Sequence, residues 1–257
     1  MGKQKLTNYL AAIQAEGKNL FVPYISAGDG GLDKIQKRIE FLEECGVAAI
    51  ELGIPFSDPV ADGSTIQAAG LRALEQGTTL AKVIELLEPT KETRKVPIIF
   101  MTYINPIFAY GIEKFAADCK RVGVDGVIIP DVPMEEETIV AEALAKHDIA
   151  FIRLAALTSG PDRLKEIAAR TEGFLYAVAV TGTTGARATH QDRVYTYLEE
   201  LKSYSDVPVL AGFGVSSPEQ AHKLSNHCDG VIVGSKIVDL FHQGKEDEVK
   251  QLIEESL

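Results

Sequence analysis

The chain has 257 residues, 46% of them hydrophobic and 25% charged, with a formal net charge of −11. That composition belongs to a globular protein of a size that one α/β barrel domain fills. The acidic excess excludes a nucleic-acid surface, which needs clustered Lys and Arg. No run of the sequence approaches the ~18 apolar residues of a membrane span.

The N-terminus, MGKQKLTNYLAAIQAEGKN, mixes acids and bases and has no apolar core, so it does not read as a signal peptide. A cytoplasmic protein is expected. Within it, LTNYLAAIQAEG (6 to 17) reads as a helix preceding the first strand, placed to cap the bottom of a barrel. One pattern then repeats: an apolar β-rich run, a loop of Gly, Asp or Pro, and an amphipathic helix. LFVPYI (20 to 25) is followed by DKIQKRIEFLEECG (33 to 46), where Ile35, Ile39 and Leu42 recur at helical spacing. AAIELGI (48 to 54) and PIIFMTY (97 to 103) come next, then GIEKFAADCKRVG (111 to 123), GVIIPDV (126 to 132) and EETIVAEALAKHD (136 to 148). IAFIRLA (149 to 155), FLYAVAV (174 to 180), VPVLAGF (207 to 213), the helix PEQAHKLSNH (218 to 227) and GVIVGS (230 to 235) complete the series. Runs that are apolar on nearly every residue are buried on both faces, and alternation with helices makes a parallel sheet. About eight such units predict a closed barrel: an α/β fold, a single (β/α)8 domain over 1–257 with an extra N-terminal helix.

In such a barrel the chemistry sits at the C-terminal ends of the strands. Glu51 stands inside the apolar second run, and Asp62 follows in the next loop. A single acid there could pair with a buried Arg or cap a helix. Two acids at one mouth can supply a base and an acid of different pKa. Asp58, inside PFSDP, reads as a turn or N-cap residue. Tyr176, in the sixth run, reads as a core aromatic whose hydroxyl can reach the site. Asp131, ending IIPDVP, reads as an acceptor behind it.

The three late loops VTGTTGA (180 to 186), AGFGVSSPEQ (211 to 220) and VGSKIVDLF (233 to 241) are rich in Gly and small hydroxyl residues. Glycine lets backbone N–H groups approach a ligand, and a helix N-terminus favours an anion. Ser217, Pro218 and Gln220 fit the N-cap, N1 and N3 positions of a helix, and Gly234-Ser235 precede another. Together the loops predict a phosphate cradle built from amides. GARATHQD (185 to 192) reads as a polar loop able to act as a lid, with Arg187 a solvated charge. Cys45, Cys119 and Cys228 are too far apart for a metal motif, and the five histidines lie away from strand ends, so no metal is expected. On these grounds alone a phosphosugar isomerase barrel stays open.

Residues 50 to 63, IELGIPFSDPVADG, resemble the signature of tryptophan synthase alpha chains. The resemblance continues in FVPYISAGD (21 to 29), MTYINPI (101 to 107), IIPDVP, TGTTG (181 to 185), GFGVSSPEQ (212 to 220) and VGS (233 to 235), in the same order along nearly the whole chain. It implies a barrel lyase of tryptophan biosynthesis that splits indole-3-glycerol phosphate into indole and glyceraldehyde 3-phosphate by a retro-aldol reaction. By resemblance, Glu51 is the acid–base carboxylate at indole C3 and the glycerol hydroxyl. Asp62 accepts the indole N–H, and Tyr176 orients the site. Gly185, Gly214, Gly234 and Ser235 hold the phosphate, Tyr24, Met101 and Phe213 line the indole pocket, and Thr184 belongs to a lid. The resemblance also implies an α2β2 heterotetramer with a tryptophan synthase beta chain, met through the loop of Asp58 and Pro59. Pyridoxal phosphate belongs to that partner, and no cofactor is expected in this chain. A stand-alone lyase that releases free indole and a silent phosphate-binding subunit are the alternatives.

Overall fold

A computed structural model describes residues 2–178, 187–212 and 214–257, with backbone alone at 187–190. The elements run α1 (Lys3–Ala15), β1 (Leu20–Ser26), α2 (Asp33–Glu44), β2 (Ile50–Gly53), α3 (Ser64–Glu75), α4 (Leu80–Leu87), β3 (Ile98–Met101), α5 (Ile104–Tyr110), α6 (Ile112–Val122) and β4 (Gly126–Ile128). Then follow α7 (Thr138–Lys146), β5 (Ala150–Phe151), β6 (Leu154–Ala156), α8 (Pro161–Arg170), β7 (Leu175–Val178), α9 (Arg187–Tyr204), β8 (Val209–Gly212), α10 (Pro218–Ser225), β9 (Gly230–Val233), α11 (Ser235–His242) and α12 (Glu246–Glu254).

All pairings are parallel, in the order β5-β4-β3-β2-β1-β9-β8-β7-β6. The two end strands are neighbours in sequence, separated by Ile152 and Arg153 alone. Continuity of the chain from 150 to 156 therefore closes the ring. The expected fifth strand is thus two strands. At the break, the Arg153 N–H donates to the Thr171 hydroxyl (3.0 Å), so a side chain takes the place of a ladder carbonyl. The Arg153 guanidinium also folds back onto the Phe151 carbonyl at 3.1 Å.

Apolar residues form two concentric layers. The outer layer packs the strands against the helices, with Phe21, Ile25 and Leu52 facing Ile35, Ile39 and Leu42 of α2. The inner layer fills the barrel with Leu20, Val22, Ile99, Ile128, Phe174, Leu210 and Ile232. Leu6 and Leu10 of α1, 0% and 1% exposed, join this inner layer and plug the N-terminal end. Burial of each contributes about 1.5–3 kcal/mol. Polar contacts fasten the plug. Buried Asp125 accepts from the Gly2 N–H (2.9 Å) and the Ile98 N–H (3.1 Å), and it pairs with Lys5 Nζ at 3.5 Å.

Residues 187 to 192 of the expected polar loop belong to α9. The buried residues Val194, Tyr197, Leu198 and Leu201, spaced three and four apart, seat this helix on the sheet. Its first turn extends beyond that apolar stripe, so polarity there did not mean a loop.

Candidate active site

The C-terminal mouth is where the core is interrupted. Glu51 lies on β2 level with Tyr24 of β1 and Ile99 of β3, and it is 3% exposed. Its Oε2 atom has no hydrogen-bond partner. An ionised carboxylate is strongly disfavoured in such a place. Burial first, and then the charge of Asp62, push the Glu51 pKa up to about 8, so the group is mostly protonated at neutral pH.

Asp62 reaches the same cavity from the loop after β2. Burial raises its pKa to about 6, and a hydrogen bond from the Tyr103 hydroxyl opposes that rise. At pH 7 Asp62 is mainly ionised. An ionised carboxylate suits the expected acceptor of an N–H, and its charge is held against a desolvation cost. The loop is anchored on both sides. The Ala61 N–H donates to Tyr103 Oη at 3.0 Å, and Gln67 Nε2 of α3 donates to the Asp62 carbonyl at 2.8 Å.

Tyr24 and Tyr176 stand beside the acids, Tyr24 buried at 7% exposure and Tyr176 partly buried. Two glycines make room for them. A Cβ on Gly53 would come within 2.0 Å of the Tyr24 hydroxyl, and one on Gly212 within 2.2 Å of the Tyr176 ring. The cavity has a volume of about 250 Å³ and is also lined by Met101, Ile66, Val178 and Ile232. On its far side lie Gly214, Gly234 and Ser235. Gly214 has a φ of +63°, which suits glycine, and a Cβ there would meet nothing within 4 Å. Ser235 opens α11, whose first-turn N–H groups lack intrahelical acceptors. Nearby, α10 has the expected cap: Ser217 Oγ accepts from the Gln220 N–H at 3.4 Å, and the Gln220 side chain accepts from the Ser216 N–H at 2.9 Å.

Eight of the expected site residues therefore line one cavity: Tyr24, Glu51, Asp62, Met101, Tyr176, Gly214, Gly234 and Ser235. Thr184, Gly185 and Phe213 lie outside the described residues. Asp58 is apart from the cavity, exposed in a turn where its carboxylate accepts from the Ser57 hydroxyl at 2.5 Å and its carbonyl from the Val60 N–H at 3.0 Å. Asp131 accepts the Ile104 N–H at 3.0 Å, so it caps α5. Sequence reasoning missed Tyr103, 1% exposed and lying tilted against Phe56 with ring centroids 5.4 Å apart. Its only signal was its place in MTYINPI. A larger cleft of about 330 Å³, between the β4 exit and α8, is lined by Pro133, Met134 and Arg153. Arg153 is committed there to Glu137 at 2.7 Å, and the cleft holds no unpaired acid, so size does not locate the chemistry. Among the described residues, no three His, Cys, Asp or Glu side chains group as a metal site would require.

A protonated acid and an ionised one, sharing a small cavity with a helix N-terminus, can move protons within a phosphorylated substrate. That defines a class, the barrel enzymes that act by acid–base chemistry on phosphate esters. A family model described as "Tryptophan synthase alpha chain" matches residues 10–257. The tryptophan synthase alpha chain of Oceanobacillus iheyensis is 61% identical over 257 residues, covering 100% of this chain and 98% of its own. That of Bacillus cereus is 46% identical over 253 residues, covering 98% and 96%. Among solved structures, the tryptophan synthase subunit alpha of Legionella pneumophila superposes with a TM-score of 0.88 at 30% identity, over 98% of this chain and 96% of that one. A tryptophan synthase structure from Mycobacterium tuberculosis gives 0.87 at 29% identity, over 98% and 96%. The protein belongs to the tryptophan synthase alpha chain family.

Proposed function

We propose that Glu51, Asp62 and Tyr176 perform the reaction of this family in this chain. The protein is a lyase of tryptophan biosynthesis that cleaves indole-3-glycerol phosphate to indole and D-glyceraldehyde 3-phosphate. It works in an α2β2 assembly with a tryptophan synthase beta chain, which takes the indole. The observation that carries the assignment of roles is the unpartnered oxygen of Glu51, buried beside Asp62.

Glu51 begins protonated and gives its proton to indole C3. Positive charge then grows on the ring nitrogen, and the Asp62 carboxylate accepts that N–H and stabilises the charge in a water-poor cavity. Glu51, now ionised, takes the proton of the glycerol hydroxyl on the carbon bonded to C3. That carbon becomes the aldehyde as the carbon–carbon bond breaks, and its electron pair restores the indole ring. Tyr176 orients the ring, and Tyr24 and Met101 pack against it. Gly214, Gly234 and Ser235 hold the phosphate through amides and the helix dipole, completed by Gly185 in our reading, with Phe213 on the indole side and Thr184 in a lid.

No step calls for a cofactor, so pyridoxal phosphate is assigned to the beta partner. Val60, 81% exposed beside Asp58 and Pro59, makes this loop the surface offered to that partner. Residues 1–257 act as one domain, in the cytoplasm; among the described residues no helix is long and apolar enough to cross a membrane. The test is indole release from indole-3-glycerol phosphate by the purified chain, alone and with a cognate beta chain. Slow release, strongly stimulated by the beta chain, is the expected result. Fast release unaffected by it identifies a stand-alone lyase. No release in either condition overturns the proposal.

A further inference from the structure

Tyr103 is buried at the mouth, between β3 and α5, and nothing in the reaction as described requires it. Its surroundings give it two attachments to one loop. Its ring lies tilted against Phe56 at 5.4 Å, and its hydroxyl accepts the Ala61 N–H at 3.0 Å, which brings that hydroxyl beside the next residue, Asp62, whose pKa it lowers. Its own backbone is held as well. Tyr103 is the residue before α5, and Asp131, at the exit of β4, accepts the first N–H of that helix, from Ile104, at 3.0 Å. A tyrosine hydroxyl that accepts from one neighbour is free to aim its own proton at another. Accepting from Ala61 orients it to donate to Asp62.

We propose that Tyr103 is a positioning residue for the cleavage, holding the Asp62 loop through the Ala61 N–H and the Phe56 ring with its hydroxyl beside the Asp62 carboxylate. This rests on the reading of Asp62 as the carboxylate that faces the indole nitrogen. The groups around Asp62 leave Tyr103 little competition. Glu51 from β2 is mostly protonated, and Tyr24 from β1 and Tyr176 from β7 are neutral tyrosines whose ionisation is resisted by burial. Asp131 lies beyond Tyr103 and opposes ionisation of its phenol. Burial raises the Asp62 pKa and the Tyr103 hydroxyl lowers it, and Glu51 shares the cavity.

The hydrogen bond stabilises the carboxylate, so removing it moves the Asp62 pKa further up. Cleavage needs that carboxylate ionised, and the acid limb of the rate profile then moves to higher pH. Hydrogen bonds to charged groups are worth roughly one pKa unit. The experiment is the pH dependence of indole release by the α2β2 complex carrying Tyr103→Phe, which keeps the ring on Phe56, with Asp62→Asn measured alongside. The expected result for Tyr103→Phe is an acid limb about one pH unit higher, a kcat about twofold lower at pH 7 and approaching about tenfold lower near pH 5, and a KM changed less than about twofold. An unshifted acid limb, with Asp62→Asn inactive, overturns the role of Tyr103 and leaves that of Asp62 standing. Cleavage by Asp62→Asn at the wild-type rate overturns the reading of Asp62, and this inference with it.

Discussion

The two ends of the barrel are built from the same strands and obey opposite rules. At the N-terminal end the buried charges find partners, with only the Arg94 Nε left over among the described groups. Asp125 collects two backbone N–H groups and Lys5, and Arg94 reaches the carbonyls of Val122 (2.8 Å) and Gly123 (2.9 Å). Leucines of α1 fill the remaining space. At the C-terminal end, about the length of a strand away, Glu51 keeps an oxygen with no partner and two tyrosines occupy room that glycines vacate. One end is packed with leucines and cross-linked by polar contacts; the other is left incomplete in the places where a substrate supplies what is missing. Chemistry can be concentrated at one mouth because the opposite mouth does so much to hold the ring.

The sharpest way to test this contrast is Glu51→Gln. It should lower cleavage roughly 10³-fold while a phosphate analogue still binds, measured by single-turnover indole release and by titration. The same variant should make the fold more stable at alkaline pH. The Glu51 pKa is raised from 4.5 to about 8, so folding favours its protonated form. The cost of burying the ionised form is absent below pH ~4.5 and grows as pH rises through that window. Thermal melts of wild type and Glu51→Gln should therefore diverge between pH 5 and pH 8.5, the variant gaining on the order of a few kcal/mol.

Gly212→Ala comes next in size. The new Cβ would collide with the Tyr176 ring, and a displacement of about 1 Å there should cost roughly 10²-fold in kcat, with only about 1–3 kcal/mol lost in stability. At the other end, Leu10→Ala should remove about 2–5 kcal/mol, seen in urea denaturation, and leave kcat of the folded enzyme within about twofold. If Leu10→Ala altered the chemistry instead, the division between the ends would be wrong.

Much of this was legible in the sequence, for reasons that differ from place to place. Glu51 stood out because a carboxylate in an apolar strand breaks the pattern around it. The plug helix α1 was legible because Leu6 and Leu10 share one face. The split between β5 and β6 was not, since periodicity reports which way side chains face and says nothing of the Thr171 hydroxyl that captures an amide. Tyr103 was hidden for a related reason: its importance comes from residues 56 to 62 folding back over it, a contact between segments far apart in the chain. The room that Gly53 and Gly212 leave was not legible, because the tyrosines that need it belong to neighbouring strands.

The seclusion of Glu51 bears on how the enzyme exchanges hydrogen with water. In the reaction as proposed, the proton delivered to carbon is replaced by the one taken from the hydroxyl, so Glu51 ends each cycle as it began. Turnover has no net traffic of protons with the solvent, and the acid needs no channel to bulk water. A carboxyl that is 3% exposed can then cycle indefinitely without direct contact with bulk water. In heavy water, the isotope reaching C3 of indole enters with the exchangeable hydroxyl of the incoming substrate and through slow exchange at the buried acid.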